Sequence, residues 1–353
     1  MVYFKLEFGF GRSKRAEKAE NAQEKGKNVN AGTLGYNELP TSEKRGRDFA
    51  KGLDFVKGWN FVTAEVKRAK QEQRFKIAQN YLTAARSWTQ FMGNEEWRFS
   101  DMTADKLAEY QRWLIGKRLC MNTISAYMRA LRAMHRRCEG EGENPFAKVF
   151  TGRARTAKRS ITQAEMLQLK TLPLQPDSQL AFARDLFLFS FYAMGMPFVD
   201  IAYFRKFQIY DGCIHYDRHK TGQRIEVALQ PAMLDILRRY EQDNSSEFLF
   251  PILSKLPSDA SPAQLHRLYT ARLRQYNYSL HRLSQMMGLP KPLSSYVVRH
   301  SWASLAYQHH LDIGLIGKAL GHTKSSTTFI YIKSLFDADL AEANQALMNE
   351  LGL

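Results

Sequence analysis

Apolar residues recur at steps of three and four from Phe75 through Ile77, Tyr81, Ala84, Trp88 and Phe91, which predicts a helix with one core-facing stripe. Thr103 then offers an N-cap for a second helix carrying Leu107, Tyr110, Trp113 and Leu114. A third begins after Asn122 and sets Ile124, Tyr127, Leu131 and Met134 on one face and Arg129, Arg132 and Arg136 on another. Asn144-Pro145 closes this segment, because the residue before a proline is steered out of the helical region. Thr162 and Glu165 form a capping box for the next helix, with Ile161 placed to staple onto Met166. The longest apolar stretch, Leu180 to Met196, contains Arg184 and Asp185 and is shorter than the roughly 20 apolar residues of a membrane span. It predicts a buried core helix, so no membrane partner is expected. From Ile209 to Leu229 apolar and polar residues alternate around Asp211-Gly212 and Thr221-Gly222, the pattern of a small antiparallel sheet. Helical patterns run on to the end, where Phe336, Leu340, Ala343, Leu347 and Leu351 share a face over 335–353. The fold class is mainly α with one small antiparallel β-sheet, without internal repeats.

This pattern divides the 353 residues into an extension over 1–60, a helical domain over 61–150, a basic linker over 151–160, a second domain over 161–334 and the terminal helix over 335–353. Between Gly11 and Gly52 large apolar residues are too few to offset the entropy of ordering, so a mobile segment is expected. It reads either as an inert tail or as a basic arm on DNA, and Glu17, Glu20 and Glu24 among its lysines weaken the second reading. A formal charge of +16 points to a polyanion, most simply nucleic acid, because neutralised phosphates release counterions. In that setting Arg129, Arg132 and Arg136, and the linker's Arg153, Arg155, Lys158 and Arg159, become candidate phosphate contacts; the plain alternative is a solvated surface. The N-terminus carries charges where a signal peptide needs an apolar segment, which leads to an expected cytoplasmic location. Cys120, Cys138 and Cys213 are odd in number and lack metal spacing, so reduced thiols are expected and neither a disulfide framework nor a metal site.

Three short motifs carry chemistry. Arg299-His300-Ser301-Trp302 is followed by Leu320-Gly321-His322 and then by Tyr331, nine residues beyond His322. Arginine can hold a phosphate with two donors, histidine can bond or move a proton near neutrality, and a tyrosine hydroxyl can attack phosphorus. Upstream, Tyr216-Asp217-Arg218-His219-Lys220-Thr221-Gly222 puts a lysine at the tip of a turn. Taken singly, Arg299 reads as half of a buried ion pair, Tyr331 as a core tyrosine and Lys220 as a solvated side chain.

Together, the order and spacing resemble the tyrosine recombinases, the family of phage integrases, transposon integrases and DNA invertases. The resemblance covers about Phe61 to Tyr331, with specific motifs only in the second domain. It implies a helical, SAM-like core-binding domain and an α+β catalytic domain closing on double-stranded DNA. Tyr331 would be the nucleophile of a 3′-phosphotyrosine intermediate, Lys220 the general acid, and Arg299 and His322 the groups that stabilise the phosphorane. Tyr296 stands where the family commonly has histidine, His300 gives structural support, and Asp200 takes the acidic place of an Arg-x-x-Glu-like motif. That motif's arginine is missing: Pro197 occupies its position, and Met194 occupies the alternative one before Gly195-Met196. Either Arg205, Lys206 or Arg184 substitutes, or the chain binds DNA with weak or no cleavage. The resemblance further implies no cofactor, a homo-tetramer on DNA with the terminal helix docked on a neighbour, and DNA-bending accessory proteins. Integration or excision of a mobile element is the expected activity. DNA inversion, an accessory DNA-binding role and type IB topoisomerase activity are the alternatives.

Overall fold

The computed structural model describes residues 58–140, 142–154, 160–240, 246–257, 259–324, 327–329, 345 and 348–351. Tyr331, Arg155, Lys158, Arg159, the 11–52 segment and most of 335–353 lie outside these residues, although Gln345 and Met348 to Leu351 are helical.

The first bundle has four helices, one more than the periodicity predicts: α1 (Gly58–Gln71), α2 (Phe75–Met92), α3 (Ala104–Gly116) and α4 (Met121–Glu139). Helix α1 buries only Gly58, Val62, Val66 and Ala69, small residues that make a faint stripe in the sequence. Its start is fixed by a close approach, with the Gly58 N–H bonded to the Trp97 carbonyl at 2.8 Å. A Cβ at position 58 would lie 2.2 Å from the Trp97 ring. Trp88, Trp97 and Tyr110 are fully buried at the centre of this bundle, Trp88 standing edge-on to Tyr110 at 5.1 Å, a favoured aromatic geometry. Thr103 caps α3 as the sequence predicts, accepting the Lys106 N–H. Helix α4 buries Ile124, Met128, Leu131 and Met134 and is tied to α1 by the Arg137–Glu65 ion pair.

The linker is anchored at both ends. Asn122 on α4 bonds both the N–H and the carbonyl of Ala154, at 2.9 and 3.0 Å, and Ser125 donates to the Gly152 carbonyl. At the far end the Ile161 N–H donates to Ser301 Oγ at 2.9 Å.

The second bundle opens at α5 (Gln163–Thr171), where the Thr162–Glu165 capping box forms in both directions and Ile161 and Met166 are buried in one cluster. Helix α6 (Gln179–Tyr192) is its axis, with Leu186, Phe187 and Phe189 almost wholly buried. No described helix is long and apolar enough to cross a membrane. The charge of buried Asp185 within α6 is balanced by Arg184 and Arg239, and the Tyr240 hydroxyl donates to its Oδ2. A short helix, α7 (Phe198–Ala202), leads to the sheet, whose order is β1 (Ile209–Tyr210), β2 (Cys213–Asp217), β3 (Arg224–Ala228), all antiparallel. Ile214, Tyr216, Ile225 and Val227 point into the core while their neighbours point out, the period-two alternation seen in the sequence. Then come α8 (Pro231–Tyr240), the long α9 (Pro262–Met286), α10 (Val297–Gln308) and α11 (Ile313–Ala319). Ala303, Ala306, Ile316 and Leu320 form a small separate cluster that joins α10 to α11. These contacts bring the end of α6, the start of α10 and the turn after α11 to one place.

Candidate active site

Helix α6 ends in a reversal that the sequence makes feasible. Met194 and Gly195 both take positive φ, +56° and +74°, and Ser190 Oγ donates to the Met196 carbonyl at 2.6 Å to lock the turn. Glycine is required at 195 for a second reason: a Cβ there would sit 3.1 Å from the Arg299 Cα. Helix α10 passes so close that Arg299, in its first turn and only 2% exposed, reaches back to the loop. Its Nη1 donates to the Gly195 carbonyl at 3.1 Å, and its Nη2 donates to the Leu320 carbonyl and lies 3.2 Å from His322 Nε2. The guanidinium thus ties the α6 turn to the turn that follows α11.

His322 is held on its other side by Thr328, whose Oγ1 is 2.9 Å from Nδ1. Thr328 is fully buried and fits only because residue 317 is glycine, where a Cβ would meet Thr328 Oγ1 at 2.8 Å. Burial, then the charges of Arg299, Arg218 and Lys220, push the His322 imidazole down to about 4, so the ring is neutral at pH 7. With Arg299 donating to Nε2, Nδ1 carries the proton toward Thr328. An open cleft of about 470 Å³ is lined by His322, Gln223, Lys318 and Thr328.

The β2–β3 hairpin closes the site from the sheet side. Asp200 on α7, 6% exposed, accepts the His219 N–H at 2.9 Å and lies 3.3 Å from Arg218 Nη1. Burial pushes the Asp200 carboxyl up, and the Arg218 guanidinium pulls it back most strongly. Lys220 is exposed at the tip and lines a second cleft of about 720 Å³, together with Tyr203, His219 and His266 of its own bundle and Phe75 and Lys76 of α2.

Arg299, His322, Asp200 and Lys220, picked out from the sequence, therefore converge on one region. Tyr296 is different: it begins α10 with 51% of its surface exposed, its ring edge-on to His300 at 4.9 Å. Met194 packs half-buried against the core and Pro197 caps α7, so neither supplies a cation. Arg184 does not substitute, because it is held by Asp185 and the Leu172 carbonyl. Arg205 pairs with Glu247 at 3.3 Å, and the Lys206 N–H bonds the Glu247 carbonyl. Arg129 and Arg136 are exposed on α4; Arg132 is half-buried, with Nη1 3.4 Å from Thr151 Oγ1, and Arg153 is exposed at the start of the linker. Sequence reasoning passed over Thr328 and Arg218. For Arg218 a signal existed: parity along β2 sends residues 214, 216 and 218 to the same inward face.

Residues 160–337 match the model of the phage integrase family, and residues 59–142 match that of the phage integrase SAM-like domain. The chain belongs to the phage integrase family. Its members are the tyrosine recombinases, site-specific enzymes that work through a phosphotyrosine intermediate. Among relatives, tyrosine recombinase XerC of Roseiflexus sp. is 25% identical over 242 residues, covering 67% of this chain and 75% of that protein. Tyrosine recombinase XerD of Pseudomonas putida is 32% identical over 96 residues, which is 27% of this chain and 30% of that protein. The fold is shared with the Tn1549 transposon integrase bound to a circular intermediate DNA (TM-score 0.55, 14% identity, 77% of this chain and 93% of that one). It is also shared with a lambda integrase tetramer bound to a Holliday junction (TM-score 0.54, 17% identity, 91% of this chain and 88% of that one).

Proposed function

We propose that this recombinase cuts and rejoins duplex DNA at specific sites through Tyr331, and that its biological task is integration or excision of a mobile element. Tyr331 Oη attacks the scissile phosphorus while the P–O5′ bond breaks, leaving a 3′-phosphotyrosine and a free 5′ hydroxyl. The phenol proton passes to water as Oη adds to phosphorus, His322 stabilises the phosphorane together with Arg299, and Lys220 gives a proton to the departing O5′. Arg299 faces the charge that builds on the phosphorane from a site already organised by the Gly195 and Leu320 carbonyls. A second strand's 5′ hydroxyl reverses these steps, so the energy of the broken bond is conserved in the protein link.

The observation that carries this reading is the contact of Arg299 with His322 at 3.2 Å, in a turn whose partner Thr328 stands three residues before Tyr331. Asp200, by holding the His219 N–H, aims the hairpin that carries Lys220; His300 and Tyr296 support the start of α10. On the DNA side, Arg129, Arg132, Arg136, Arg153, Arg155, Lys158 and Arg159 contact phosphates, with the helical and catalytic domains on either side of the duplex. The active form is a homo-tetramer on DNA in which the terminal helix docks on a neighbour. The lambda integrase tetramer on a Holliday junction supports that assembly.

The test is expression beside the native flanking DNA, followed by a search for a detergent-resistant protein–DNA adduct. Wild type should give the adduct and Tyr331→Phe should lose it while still shifting the DNA. Sequencing the products separates a circularised or inserted segment from an inverted one. Bound DNA without any adduct from wild type would reject cleavage.

A further inference from the structure

The missing first arginine leaves one side of the scissile phosphate without a guanidinium from α6 or its turn. We propose that Arg218, just past the end of β2, takes that place and holds a non-bridging oxygen of the phosphate. This rests on the recombinase reading above, and three features of the site support it.

The first is position. Arg218 is 7% exposed and inward by strand parity, and its aliphatic stem lies on Gly321, where a Cβ would come within 2.9 Å of the Arg218 Cγ. The side chain is thereby seated on the Leu320-Gly321-His322 turn, whose carbonyl and ring also hold Arg299. The second is the state of its donors. Among the described residues, Nε and Nη1 make no hydrogen bond, although Nη1 lies 3.3 Å from Asp200 Oδ2 and the side chain also meets Tyr216. Buried guanidinium donors left unmet are costly, and a phosphate oxygen is the partner whose geometry suits the fork. The third is charge. Arg299, Arg218 and Lys220 all act on His322, and Asp200 offsets one of these three positive charges. The surplus of two faces a neutral imidazole, which matches the doubly charged phosphorane that forms as Tyr331 adds to phosphorus. Arg218 takes no part in proton transfer, because a guanidinium stays charged throughout.

A role confined to pairing with Asp200 would produce a different result from phosphate contact. Wild type, Arg218→Met and Arg218→Lys are compared in single-turnover adduct formation on the native flanking DNA, with the cut mapped in wild type. The measurement is repeated on DNA carrying a methylphosphonate at the mapped position, which removes the charge that Arg218 holds. Arg218→Met is expected to slow cleavage of the normal phosphate roughly 10²–10³-fold, and most of that loss should vanish on the methylphosphonate. Arg218→Lys keeps the charge beside Asp200 but lacks the fork; it should melt near wild type, shift DNA normally and still cleave the normal phosphate slowly. Equal losses on the two DNAs, or an Arg218→Lys protein as fast as wild type, would overturn the proposal while leaving Tyr331 chemistry standing. If wild type itself forms no adduct, both readings fall together.

Discussion

Replacing Gly195 with alanine should damage both stability and chemistry, and the size of the damage can be worked from the turn it occupies. Residue 195 sits at φ +74°, so any side chain there incurs about 1–2 kcal/mol for the left-handed backbone. The new Cβ would also lie 3.1 Å from the Arg299 Cα, 3.3 Å from its Cγ and 3.4 Å from its Cβ. The nearest of these atoms belongs to the backbone of α10, which cannot rotate away, so overpacking adds about 1–3 kcal/mol. Gly212 is the control. It sits at φ +70° in the β1–β2 turn, where an added Cβ would meet nothing within 4 Å, so Gly212→Ala carries the backbone cost alone. Urea melts of the two variants, followed by near-ultraviolet signal, should place Gly195→Ala below Gly212→Ala by at least the overpacking cost. Adduct formation should fall steeply in Gly195→Ala and remain near wild type in Gly212→Ala, because only the first displaces Arg299 from the Gly195 carbonyl. Equal midpoints for the two proteins would refute the close approach of the α6 turn to α10.

Ring titration by nitrogen-detected NMR should find His322 in the free protein near 4 instead of the ordinary 6.5, the causes being burial, Arg299, Arg218 and Lys220 in that order. Because the folded value lies below the unfolded one, the stability contributed by the neutral ring is complete above pH 6.5 and is lost as pH falls toward 4; a ring that titrates at its ordinary value contradicts this. Bound duplex should raise the value by placing a phosphate beside the ring. The double variant Arg129→Ala/Arg136→Ala should weaken DNA binding across sequences and lower the slope of log affinity against log salt by about two, one for each phosphate no longer neutralised. An unchanged slope would return this face of α4 to solvent.

The elements whose side chains repeat strongly were legible in the sequence. Trp88, Leu107 and Leu131 mark α2, α3 and α4 because large apolar residues recur at the helical period, and the Thr162–Glu165 box announces α5 one residue before it starts. Helix α1 was not, since Val62, Val66 and Ala69 bury little and its position depends on Gly58 meeting a tryptophan nearly forty residues away. The same distinction runs through the site. Motif spacing singles out Arg299, His322 and Lys220, and strand parity marks Arg218 as inward, whereas the seats of Arg218 and Thr328 depend on Gly321 and Gly317 letting other segments come close. No local pattern encodes such approaches, and a glycine read in isolation says only that a side chain is absent.

The anchoring of the linker also sets how the protein can handle its substrate. Ala154 is pinned to α4 through both of its main-chain polar groups, and Ile161 is pinned to α10 through Ser301. Only seven Cα steps, 161 minus 154, separate the two anchors, so the points they hold can never part by more than about 25 Å. The helical and catalytic bundles therefore behave as a tethered pair with high effective concentration for one another. Inserting flexible residues at this strap would lengthen its reach and lower that effective concentration. The length of one short connection thus sets how far apart the two bundles can stand.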